Sequence, residues 1–177
     1  TQRRRQRQMC IRDRDKITPI GPKARNLNKK FVFNEGEFNQ LTYWMNRQII
    51  DDYPLELVSP VDWTDDSQNI NDRVRSYLDV NCGHCHSPTG NANSTGLYLH
   101  LDETRDIHLG LYKKPVATGR GSGGLKYSIV PGKPDESILL HRMISLDPGV
   151  MMPESGRALS HTEAVEMVRE WILVMED

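Results

Sequence analysis

The chain of 177 residues is 37% hydrophobic with three Phe, a length that suits one domain with a core and a subsidiary segment and excludes a multi-domain enzyme. Its formal net charge of −1 hides an asymmetry: residues 1–14 carry six Arg and one Asp, leaving 17 basic against 23 acidic residues, net −6, which argues against nucleic acid as a partner. No stretch approaches the roughly 18 apolar residues of a membrane span.

Residues 1–15 form an Arg- and Gln-rich head without apolar periodicity, which reads as a disordered or artefactual tail outside the fold, with Cys10 left over. Residues 16–69 read as an N-terminal extension with one helix. Pro, Gly, Asn and Lys make 16–35 an extended loop. From Gly36, the positions Phe38, Leu41, Met45 and Ile49, with Trp44 alongside, fall on one helical face until Pro54 ends the run. That aromatic face is read as packing. Residues 54–69 read as a solvated loop, because Asp62, Asp65 and Asp66 lack the Gly and Glu of a calcium loop.

The spacing of Val74, Tyr77 and Leu78 predicts a helix over 70–80, capped by Asn69 or Asn71. It leads directly into Cys82-Gly83-His84-Cys85-His86, the C-x-x-C-H attachment signature of a c-type haem. Two cysteines three apart can add to the two vinyl groups on one porphyrin edge, and the histidine that follows is then held under the iron as proximal ligand. Covalently held haem also supplies apolar bulk that this lean composition lacks. Ser87-Pro88-Thr89-Gly90 then breaks regular structure.

Downstream, alternation over 96–101 predicts a short strand. The glycine-dense stretch 119–124 lacks the Lys-Ser/Thr ending of a phosphate-binding loop and reads as a flexible surface or haem-edge loop; Arg120 or Lys126 is a solvated cation there, or a partner for a haem propionate. A helix starts at Asp135 or Ser137 and runs through Ile138, Leu139, Met143 and Ile144. The last helix is expected from Ser160, with Glu163 completing a capping box. Its apolar face of Val165, Val168, Trp171, Ile172 and Met175 is expected to pack on the helix before the motif, with Tyr77 and Trp171 near the crossing.

An iron held by one His needs a second ligand or an open position. Met is the usual choice for electron transfer, since thioether sulfur favours the ferrous state. The candidates are Met143, Met151, Met152, Met167 and Met175, with His100, His108, His141 and His161 as imidazole alternatives. Helical Met143, Met167 and Met175 read as core filler. Met151 and Met152 lie in a Pro/Gly-bounded loop, and Met152 is preferred because Pro153 restricts its backbone. The rival for C-G-H-C is a redox dithiol, but such a motif follows a strand and opens a helix, the reverse of the order here. A zinc site would need a second ligand pair at similar spacing, which the sequence lacks.

The run N-C-G-H-C-H, then P-G-K-P-D-E-S-I-L-L-H-R-M, then V-M-M-P-E, then E-W-I resembles a class I cytochrome c domain over residues 70–177. The resemblance implies an all-α, haem-wrapping fold in which the first and last helices cross. It implies one covalent haem c, with Cys82 and Cys85 as thioether anchors and His86 and Met152 as axial metal ligands. It further implies electron transfer with redox partner proteins, no catalytic residue, and a periplasmic or extracytoplasmic location. The alternative is the haem c domain of a peroxidase or dehydrogenase-type enzyme. A long insert, about residues 91–130, departs from a minimal cytochrome c. The chain is also similar to the C-terminal unit of uncharacterised bacterial proteins, some with a second haem motif upstream, and so leaves room for a longer parent protein.

Overall fold

The computed structural model describes residues 23–154 and 157–176, so the basic head and Cys10 lie outside the described residues. The chain is mostly helical, with one small two-stranded antiparallel sheet, so the all-α expectation holds in outline only. Among the described residues, no helix is long and apolar enough to cross a membrane.

The sheet lies where a loop and the first turns of a helix were expected. After α1 (Ala24–Leu27), β1 (Lys30–Phe33) and β2 (Gly36–Asn39) form a hairpin, with Phe31 opposite Phe38 and Phe33 opposite Gly36. Gly36 sits at φ 129°, a conformation open to glycine and strained for other residues. The ring of Phe33 stacks on Tyr43 at 3.7 Å. Helix α2 (Gln40–Asn46) therefore starts at Gln40, because Asn39 caps it by accepting from the amides of Leu41 and Thr42. Phe38 belongs to the strand. Residues 47–69 form turns, in which Asp62 and Asp65 accept from Thr64 and Ser67.

Helix α3 (Ile70–Asn81) begins as its sequence predicts, with Asn69 accepting from the Asn71 amide. Six consecutive residues, Val74 to Asp79, are buried, so the helix is covered on more than one face. Val74, Tyr77 and Leu78 join the core shared with α6 (Thr162–Leu173). The two helices run antiparallel: the Trp171 indole donates to Asn71 at 3.2 Å at one end, and Tyr77 meets His161 at 3.1 Å at the other. Burying each Leu, Ile or Val there contributes about 1.5–3 kcal/mol. The expected apolar face of α6 is buried through Val165, Val168, Trp171 and Ile172, and Met143 and Met167 are core residues.

One boundary differs from expectation. Ser160 does not cap α6: its hydroxyl donates to the Met143 carbonyl at 3.3 Å, and His161 takes the cap position without a side-chain bond. After α4 (Asp106–Leu109) and a 3-10 turn at Pro134–Glu136, α5 (Ile138–Ile144) starts behind Ser137, one of its two expected starts, whose hydroxyl spans Val130 and Lys133.

Residues 96–101 are not a strand. Consecutive amides go to different segments, Tyr98 to the His108 carbonyl at 2.7 Å and Leu99 to the His86 carbonyl at 2.8 Å, so no ladder forms. The insert is structural nonetheless, since Leu99 and Ile129 are core residues. The glycine-dense stretch, expected as a flexible loop, forms a 3-10 turn at Gly119–Ser122 that packs on α5.

Candidate functional site

The C-x-x-C-H motif is the C-terminal continuation of α3. Cys82 is the residue after the helix, and its amide donates to the Leu78 carbonyl at 2.8 Å. The carbonyl of Cys82 accepts from the Cys85 amide at 3.1 Å and the His86 amide at 2.8 Å. One turn thus brings Cys82, Cys85 and His86 together. Two glycines allow it: a Cβ on Gly83 would lie 2.8 Å from the Asp79 carbonyl oxygen, and one on Gly90 would lie 2.2 Å from the Cys85 carbonyl oxygen. The chain after Gly90 returns to the motif, with the Ala92 amide donating to the same Cys85 carbonyl at 2.9 Å.

The insert closes over the other side. Leu99 donates to the His86 carbonyl, and Leu101 donates to the Asp79 carboxylate at 3.1 Å. His86 is half-buried, and burial pushes its pKa down to about 4. The nearby Leu97 carbonyl opposes that shift without reaching hydrogen-bond geometry to the ring's Nδ1, which is buried and unbonded. At neutral pH the imidazole is therefore uncharged, the state in which it ligates a metal.

Both cysteines are free thiols. Burial pushes Cys82 up to about 12, and burial followed by the charge of Glu154 raises Cys85. Neither sits in the electropositive setting that makes a thiolate nucleophile. The helix before the motif and the raised thiol pKa values both stand against a redox dithiol. Among the described residues, no three His, Cys, Asp or Glu side chains converge as a metal-binding group. Two adjacent thiols and a neutral imidazole fit the donor set required by a thioether-linked haem.

Met152 lies on the loop between α5 and α6, half-buried, with its amide donating to the Arg142 carbonyl at 2.9 Å. The Met151 amide instead donates to Asp147 at 2.8 Å, within the loop itself. Arg120, considered for a propionate, pairs with Asp147 at 2.9 Å on the surface.

No family model, curated protein or solved structure matches this chain.

Sequence reasoning missed the polar residues that brace the site. Asp79 is fully buried and bound by Arg25, Lys23 and the Leu101 amide. Arg75, one helical turn before it, donates to the carbonyls of His100, Leu101 and Glu103. Glu103, also buried, takes Arg105 and His108. Arg75 and Asp79 are an i, i+4 pair, the pattern of an exposed helix face, so local spacing carries no sign that both are buried.

Proposed function

We propose that this chain is a haem c-binding electron-transfer unit of the class I cytochrome c type, working outside the cytoplasm with redox partner proteins. The observation that carries this reading is the single turn Cys82–His86, which presents two half-buried free thiols beside a half-buried imidazole held uncharged. Cys82 and Cys85 would anchor the macrocycle as thioethers, and His86 and Met152 would be the axial ligands. Bound there, the haem supplies a one-electron ferric/ferrous couple.

The chain's own residues position and insulate. Gly83 and Gly90 let the backbone turn tightly around the cysteines. The amides of Leu99 and Leu101 pin the insert to His86 and Asp79, shielding the imidazole from water. Excluding water would favour the ferrous state of a bound haem, and a thioether donor from Met152 would do the same. Outside the head, the acidic balance steers basic partners toward the molecule.

The test is substitution of Met152. With the haem-loaded protein, Met152→Ala removes the weak sulfur-to-iron charge-transfer absorption of the oxidised form, whereas Met151→Ala leaves it. The opposite result transfers the ligand role to Met151. Rapid carbon monoxide binding by the reduced parent protein would move the reading to a haem enzyme with an open sixth position.

A further inference from the structure

We infer that Arg142 is the positioning residue of the sixth-ligand loop: its side chain and its main chain hold Val150 and Met152 on α5. The inference rests on the axial pair proposed above.

Its Nε donates to the Val150 carbonyl at 2.8 Å, and its own carbonyl accepts from the Met152 amide at 2.9 Å. These two bonds bracket Met151 and fix the backbone on both sides of it. The same carbonyl accepts from Arg157 at 3.1 Å, and Arg157 reaches the carbonyls of Met143 at 2.7 Å and Ser145 at 2.5 Å. The last turn of α5, whose carbonyls have no partner within the helix, is therefore satisfied by the loop that leaves it and by the residue where that loop returns. Two arginines staple the loop at both ends.

The guanidinium of Arg142 lies against the glycine-dense turn: a Cβ on Gly121 would lie 3.4 Å from its Cζ and 3.4 Å from a terminal nitrogen, an ordinary contact distance. This gives the packed glycine-dense turn a role: it backs the arginine that holds the methionine loop.

Two variants of the haem-loaded protein remove the hydrogen bond. Arg142→Lys keeps the charge but lacks the planar Nε donor, and Arg142→Gln loses both. In both, the sulfur-to-iron absorption is expected to vanish at a lower urea concentration than the helical circular dichroism, because the loop detaches before the fold unfolds. In the parent protein the two signals vanish together. Coincident loss of both signals in the two variants overturns the inference. A parent protein that carries covalent haem but no such absorption overturns the proposed Met ligation as well. The Lys variant keeps the charge at its site, so the result does not depend on Arg142→Gln folding.

Discussion

Arg25 grips the fully buried carboxylate of Asp79 through Nε at 3.2 Å and a terminal nitrogen at 2.7 Å, across 54 residues of chain. Lys23 binds the same carboxylate at 2.5 Å, and Leu101 donates its amide at 3.1 Å. Asp79 is thus the point where the N-terminal extension, the helix leading to the motif and the insert meet. A lone buried carboxylate would be costly, and this one is compensated on every side.

Asp79→Ala leaves Lys23 and Arg25 without their partner and is expected to destabilise the fold by about 3–5 kcal/mol. Arg25→Ala is expected to cost less, because Lys23 remains. Urea unfolding of the two single variants and the double variant measures the coupling; equal, additive losses would contradict a shared site.

The same carboxylates give the fold an acid limit. Burial opposes ionisation of Asp79, but hydrogen bonds from Arg25, Lys23 and the Leu101 amide outweigh it and hold its pKa below the ordinary carboxylate range. Glu103 is held well below that range chiefly by Arg105, against the opposing effect of its burial. The unfolded chain therefore binds more protons than the native one in acid. The stabilisation is present above the unfolded carboxylate values of about 4 and is lost as pH falls through the lower native ones. Urea midpoints are expected to fall steeply below about pH 4, with a shallower fall in Asp79→Asn.

What the sequence discloses and conceals follows from range. Helix α3 is legible over 70–80 because Val74, Tyr77 and Leu78 repeat at helical spacing behind a capping Asn, and it ends one residue later, at Asn81. The motif is legible because its chemistry is local. The hairpin is not, because Phe38 and Leu41 fit a helical period as well as they fit a strand followed by a cap. Asn39, a strong cap residue just before Leu41, was the signal that separates the two. The strand expected at 96–101 fails because its amides are spent on His86 and His108, partners that no local pattern names. Burial of Arg75, Asp79 and Glu103 depends wholly on such distant partners.

Gly90 tests the tightness of the turn. A Cβ there would lie 2.2 Å from the Cys85 carbonyl oxygen and 2.6 Å from its carbon, both main-chain atoms that cannot swing aside. Gly90→Ala is expected to destabilise the protein by about 1–3 kcal/mol and to lower the yield of haem attached at Cys85. Parental stability and parental haem content in this variant would show that the turn relaxes freely.

The most direct measurement is the mass of the denatured protein after expression with the cytochrome c maturation machinery. The expected result is a gain of one haem that survives denaturation. Single Cys82→Ala and Cys85→Ala variants should each lose one of its two attachments, and the double variant should lose the haem entirely. A parent protein that leaves denaturant at the mass of its polypeptide alone would contradict the account.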